Sequence, residues 1–315
     1  MSFRIGLVGL CTSHPESWVP IIREYASQGL FDVEITAAWD SGETRPENFA
    51  KEFCSQFDIP NAVENLSDML PLVDGVIVHT TNWDKHMEQA EIFVKANKAV
   101  FIDKPIAGNL KDINQYLDWV KAGYKVTGGS VLRYFQPAAD FLAIPESERG
   151  KVYTAYTAVG VDDFNYGIHG YAILASIMGP GIVSCQYIGS SNQKQIKIEW
   201  KDGRIGLLTI GKCAWLPFNM TVVTDKKVVQ MTAEELVYNA LIREVMPYFS
   251  GKVDTPPVPL TELIEPELAA LAARKSWLNN GQKVYLTDLS LDDDGYDGNQ
   301  FAIEYRRTRI TAQNK

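Results

Sequence analysis

The sequence predicts an α/β protein in two parts. An N-terminal Rossmann-type doubly wound parallel sheet is followed by a C-terminal α+β part on an open, mainly antiparallel sheet. Three observations carry this. Up to about residue 128, short apolar runs alternate with helix-length segments, the pattern of parallel crossover units. Beyond it, strand-like runs come in pairs around tight turns, as antiparallel hairpins do. The chain has 315 residues, enough for two medium domains, and the change of pattern divides it into 1–128 and 129–315.

In chain order, Phe3 to Leu10 reads as a buried first strand. A helix from about Pro15 to Gln28 follows, closed by Gly29 in a C-cap position. Val33 to Trp39 is a second strand ending in Asp40, and Pro46 to Phe57 is helical, with Phe49, Phe53 and Phe57 on one face. Val73 to His79 is a strand that leads into the loop Thr80-Thr81-Asn82-Trp83, and Lys85 to Asn97 is a helix. The apolar run Ala99 to Ile102 suits a parallel strand covered on both faces. It ends in Asp103-Lys104-Pro105, because proline cannot donate to a sheet ladder. Leu110 to Lys121 is a helix and Lys125 to Thr127 a last short strand.

In the second part, Lys151 to Val161 and Val183 to Ser190 read as strands. Gln195 to Trp200 and Ile205 to Ile210 flank the turn Lys201-Asp202-Gly203-Arg204, a hairpin signal, and Met220 to Thr224 pairs with Lys227 to Met231. Asn165 to Gly170 opens a helix towards Met178. Helices over Ala233 to Phe249 and Glu262 to Asn279 surround a proline-rich loop, and Lys283 to Leu289 closes the sheet. The charged tail after Ser290 is expected to be mobile or to form an arm to a partner subunit.

Composition narrows the function. A net charge of −9 argues against nucleic acid or an anionic membrane surface as the main partner. The four cysteines form no CxxC pair, so they suggest neither a zinc site nor a disulfide framework, and no metal is expected. They read as reduced cytosolic thiols, mostly packed in the core. The N-terminus lacks a signal-peptide layout and no apolar stretch approaches membrane-spanning length, so the expected compartment is the cytoplasm.

In open α/β sheets ligands bind just outside the carboxyl ends of the strands, which places Lys104 for chemistry. The turn after the first strand, Gly9-Leu10-Cys11-Thr12-Ser13-His14, keeps only the first glycine of G-x-G-x-x-G, with Cys11 and His14 at the second and third positions. Thr12, Ser13 and the amides of the following helix remain able to donate to phosphate oxygens. Asp40 stands where an acid accepts hydrogen bonds from an adenosine ribose. An acid there favours NAD over NADP, while nearby Arg45 keeps NADP open.

These residues resemble the Gfo/Idh/MocA family of NAD(P)-dependent oxidoreductases. Asp103-Lys104-Pro105 matches the family's Glu-Lys-Pro motif. Thr80-Thr81-Asn82 and His86 match its small residue, Pro-Asn and histidine, with Thr81 in place of proline. Val131-Leu132-Arg133-Tyr134 followed by Pro137 looks like the arginine segment at the domain crossover, and Gly150-Lys151-Val152 like the start of the second domain. The resemblance runs from about Arg4 to Leu289.

It implies hydride transfer between a sugar or polyol hydroxyl and the nicotinamide, with Lys104 and His169 catalytic and Arg133, Asn165 and Tyr166 on the substrate. It implies a cofactor held by Gly9, Leu10, Thr12, Ser13, His14, Asp40, Thr80, Thr81, Asn82, His86, Asp103 and Lys104, with Trp83 lining the pocket. It also implies a homodimer or homotetramer formed through the C-terminal sheet. The family's aspartate four residues before the histidine is Asn165 here, and Ala172 stands where another acid is common. His169 is therefore expected to be charged less readily, unless Asp162 or Asp163 folds back beside it. Two other functions fit the same fold: a sensor that binds cofactor without turnover, and a redox-assisted glycoside lyase or hydrolase.

Overall fold

The computed structural model describes residues 2–233 and 237–313. Its first sheet has six parallel strands, β1 (Phe3–Val8), β2 (Val33–Trp39), β3 (Asn61–Ala62), β4 (Gly75–Val78), β5 (Ala99–Asp103) and β6 (Val126–Gly129), in the order β3-β2-β1-β4-β5-β6. Helices α1 (His14–Ser27), α2 (Phe49–Gln56), α3 (His86–Lys95) and α4 (Leu110–Lys121) form the crossovers. Leu7, Ile77, Phe101 and their neighbours are fully buried, as strands covered on both faces require.

The first strand stops at Val8 rather than Leu10 because Gly9 turns to φ +79°. The two-residue edge strand β3 and a 3-10 turn at Leu66–Leu72 escaped sequence reading, since each is too short to carry a period. The chain order reverses between β1 and β4, so the crevice at their carboxyl ends is the switch point where such sheets take ligands.

Helices α5 (Gln136–Ala143) and α6 (Glu146–Arg149) lead to a second sheet. It contains β7 (Val152–Val159), β8 (Ile182–Ser190), β9 (Lys194–Trp200), β10 (Ile205–Ile210), β11 (Asn219–Thr224), β12 (Val228–Thr232) and β13 (Val284–Tyr285), ordered β12-β11-β7-β10-β9-β8-β13. Both expected hairpins form, β9 with β10 and β11 with β12. One pair, β7 with β10, is parallel.

Helix α7 (Gly167–Met178) is buried at every position but Ser176, so it presents apolar residues on all sides. It lies between this sheet and the crossover segment Val131–Tyr134. Helix α8 is described from Val237 to Phe249; the expected start at Ala233 runs through 234–236, outside the described residues. The expected helix over Glu262 to Asn279 is two, α9 (Leu260–Leu263) and α10 (Glu265–Leu278).

The tail corrects its expectation. After Ser290 it folds back on its own chain and ends in helix α11 (Gly298–Gln313). Trp83 Nε1 donates to Tyr296 O at 2.8 Å. Asp84 Oδ2 accepts from Gly298 N, Asn299 N and Asn299 Nδ2 at 2.8, 3.2 and 3.0 Å. Tyr296 stacks on Phe164 of the second part at 3.9 Å, so the arm ties the β4 loop to the segment leading into α7.

Candidate active site

Pro105 ends β5 and leaves Asp103 and Lys104 at its carboxyl end. The Lys104 side chain crosses to the second sheet's side of the molecule. Its Nζ donates to Asn165 O at 2.9 Å and Asn165 Oδ1 at 3.1 Å, and lies 5.3 Å from the centre of the Tyr166 ring. Burial lowers the Lys104 pKa, against the opposing charges of Asp103 and Asp162. Asp162 Oδ1 accepts from Phe164 N and Tyr166 N, each at 2.9 Å, and so shapes the loop that presents Asn165. Asp162 supplies its charge to Lys104, whereas Asp163 pairs with Lys194 at 2.7 Å.

His169, in the first turn of α7, flanks the same tyrosine: its ring centre is 5.9 Å from that of Tyr166. Its Nδ1 meets Ser130 Oγ at 2.7 Å, and Ser130 Oγ also accepts from Leu132 N at 3.0 Å. Burial, then the positive charges of Lys104 and His14, hold His169 well below the ordinary histidine pKa. The expected reluctance of His169 to ionise is reproduced, with burial rather than the missing acid as its main cause. An amine from the N-terminal part and an imidazole from the C-terminal part thus meet around Tyr166.

Behind Lys104, Asp103 gathers two more histidines. His14 Nδ1 is 2.5 Å and His79 Nδ1 2.9 Å from Asp103 Oδ2, while Oδ1 accepts from Lys104 N at 2.8 Å. Burial works to raise the Asp103 pKa, but the two imidazoles outweigh it and hold the carboxyl well below its usual range. His79 is lowered, chiefly by burial. The third glycine position is thus filled by a side chain folded inward to β5.

On the cofactor side, Gly9 packs against Thr80; a Cβ there would lie 2.3 Å from Thr80 Oγ1 and 2.8 Å from its backbone N. Thr81 Oγ1 is buried without a partner. A closely packed turn and an unsatisfied hydroxyl at adjoining strand ends fit a dinucleotide approaching the backbone there.

Several expected ligands are already engaged. Asp40 accepts from Leu10 N at 2.7 Å and Gly42 N at 3.0 Å. Thr80 Oγ1 donates to Gln89 Oε1 at 2.7 Å, and Asn82 Nδ2 donates to Glu43 Oε1 at 2.9 Å and Asn299 Oδ1 at 3.0 Å. Thr12 Oγ1 accepts from His14 N at 3.1 Å. Arg45, ion-paired with Glu16 at 2.7 Å, bonds Leu10 O and Thr12 O.

Three residues have surroundings different from those expected. His86 is a buried clip between Thr80 O (2.6 Å) and Ile106 O (3.3 Å), lowered in pKa mainly by burial. Arg133 faces Glu262 at 3.6 Å and lines a cavity with Tyr134, Gln136 and Glu244, with no hydrogen bond to Lys104 or His169. Trp83 is buried between Phe164 and Phe301.

Sequence reading passed over His79, Ser130 and Tyr238, whose ring stands 5.3 Å from that of His14. A histidine closing a strand was the available signal for His79. A groove of about 1260 Å³ lies beside Phe3, Arg4 and Asp32, at the amino ends of the strands and away from this chemistry.

A parallel sheet in this order, with a glycine turn after β1, defines a nucleotide-binding Rossmann fold joined to a second sheet. Residues 3–127 match the model of an oxidoreductase family with an NAD-binding Rossmann fold, GFO_IDH_MocA. The similarity to the Gfo/Idh/MocA oxidoreductases is thus shown for the N-terminal part of the chain.

A protein of Amycolatopsis mediterranei (strain S699) described as a UDP-kanosamine synthase oxidoreductase subunit is 29% identical over 134 residues, 42% of this chain and 35% of that protein. The match therefore spans about a third of that relative. Two solved structures share the fold. One is a probable dehydrogenase of Thermotoga maritima, with TM-score 0.76, 18% identity, and 91% of this chain and 100% of that one covered. The other is scyllo-inositol dehydrogenase of Lactobacillus casei with bound NAD(H) and scyllo-inositol, with TM-score 0.73, 14% identity and coverage of 91% and 100%. Among the described residues no helix is long and apolar enough to cross a membrane.

Proposed function

We propose that the protein transfers a hydride between a hydroxyl-bearing carbon of a sugar or polyol and a nicotinamide cofactor. The observation that carries this reading is the pairing of Lys104 and His169 around Tyr166. The cofactor supplies the hydride acceptor. Lys104 Nζ donates to the reacting oxygen and stabilises negative charge developing on it. His169 takes the hydroxyl proton as the C–H bond yields its electron pair and the carbon becomes a carbonyl. Ser130 occupies His169 Nδ1, which leaves Nε2 as the nitrogen that exchanges the proton. Asn165 holds Lys104, and Tyr166 offers its hydroxyl to the substrate.

Gly9, Leu10, Thr12, Ser13, Thr80, Thr81 and Asn82 would hold the dinucleotide along the strand ends. Asp40 supports NAD over NADP, as does Arg45, whose pairing with Glu16 leaves it committed. The division into domains at 128/129 and a homo-oligomer built on the C-terminal sheet belong to the same reading. Exposed Tyr153, Tyr156 and Val223 on that sheet support an interface there.

The test is Lys104→Ala, assayed with NAD and a panel of sugars and inositols. Hydride transfer should vanish while NADH still binds, followed by its fluorescence. Unchanged turnover removes Lys104 from the chemistry. Product without net NADH points instead to redox-assisted lysis, and saturable sugar binding without product to a sensor.

A further inference from the structure

We propose that His14, His79 and Asp103 form a binding site for one first-row divalent cation, zinc by the chemistry of its donors. Two imidazole nitrogens and one carboxylate oxygen converge, and the three donor atoms lie within 4.8 Å of one another. The set is of the kind that catalytic metal sites use, with three protein ligands and coordination positions left open. His14 Nδ1 and His79 Nδ1 stand 2.5 and 2.9 Å from Asp103 Oδ2. Ligands around one tetrahedral ion at ~2.1 Å sit roughly 3.4 Å apart, so binding would lengthen the two contacts by about 0.5–0.9 Å and bring both nitrogens to that same spacing.

Without an ion, one carboxylate oxygen must take both Nδ1 contacts, a closed state that an ion would replace by two Nδ1 lone pairs and a carboxylate. His79 lies at the end of β4 and is fully buried.

The supports are rigid. His14 starts α1, while His79 follows β4 and Asp103 closes β5, two hydrogen-bonded neighbours in the parallel sheet. Asp103 is further fixed by Lys104 N on its other oxygen. His14, with 13% of its side chain exposed, is the most accessible of the three and marks the way in. Asp103 immediately precedes Lys104 in the chain and accepts from its N–H, so an ion there would lie near the proposed hydride-transfer site. Its binding does not depend on that reading.

The experiment uses the full chain, stripped with a chelator and titrated with Zn²⁺ by calorimetry and with Co²⁺ by visible absorbance. One ion per chain is expected, with a Co²⁺ d–d band and a rise in melting temperature on loading. His14→Gln and Asp103→Asn should each weaken binding at least a hundredfold, and His169→Gln should leave it intact. Because Asp103→Asn can disturb folding, the partly exposed His14→Gln is the deciding variant, checked by circular dichroism. Absence of a stoichiometric ion in the wild type overturns the site, as does binding that survives His14→Gln. Persistence of both Nδ1 protons in imidazole NMR with excess Zn²⁺ present also overturns it, and would leave the cluster as a carboxylate shared by two protonated nitrogens.

Discussion

Glu267 offers a test of the packing beneath the lysine loop. It lies fully buried in α10, and its Oε1 accepts from Ile106 N at 3.1 Å, two residues past Lys104, while Oε2 has no partner. Burial pushes its carboxyl up from 4.5 to about 7. A shift of this size corresponds to about 3 kcal/mol at 1.36 kcal/mol per pKa unit, an order-of-magnitude figure. The sign follows from proton counts. Between roughly pH 4.5 and 7 the folded state keeps a proton that the unfolded state has lost, so stability falls as pH rises through that window. The contribution is fully present below the unfolded pKa and gone above the folded one.

Glu267→Gln keeps an acceptor for Ile106 N but removes the titration. Urea unfolding of both proteins at pH 5 and pH 8 isolates the group, because every other titration is common to the pair. The variant should gain about 2.5 kcal/mol relative to wild type between these two pH values, since at pH 5 part of the contribution is already lost. Any constant cost of burying the amide cancels in that difference. Parallel pH profiles for the two proteins would refute the reasoning and mean that the carboxyl is solvated through an opening at the α10–β5 junction.

Two further outcomes follow from contacts at the strand ends. Gly9→Ala forces a Cβ to 2.3 Å from Thr80 Oγ1 in a backbone with φ +79°, so it should cost about 2 kcal/mol or more in urea unfolding; wild-type stability would show that the turn has room to relax. Asp84→Ala removes the acceptor for three N–H groups at the start of α11, a capping loss of about 1–2 kcal/mol. Amide hydrogen exchange over the first turns of that helix should then rise by about tenfold, and unchanged protection there would mean that the Tyr296 and Phe301 contacts hold the arm by themselves.

What could be read from the sequence was whatever lay close together in it. The run Ala99 to Ile102 and the proline behind it place Lys104 at a strand end from local chemistry alone, and Asn165 and His169 share one turn at the start of α7. The clustering of His14, His79 and Asp103 was hidden because 65 and 24 residues separate the partners, and only the order β1-β4-β5 makes them neighbours. His14 illustrates this best. As a substitute for a glycine it reads as an obstruction, since an imidazole cannot pack as glycine does between helix and strand. The carboxylate that relieves the obstruction comes from β5, which draws the ring inward to Asp103.

The tail was opaque for the opposite reason. Its charged residues carry no period, and its fixation comes from Asp84 and Trp83, more than 200 residues earlier in the chain. The asparagine at 165 follows the same logic. Beside His169 in sequence it looks like a lost acid, yet in space it belongs to Lys104, and it can accept from that amine without fixing it as an ammonium as a carboxylate would. Asn165 therefore bears on the lysine, whose charge in turn lowers the His169 pKa.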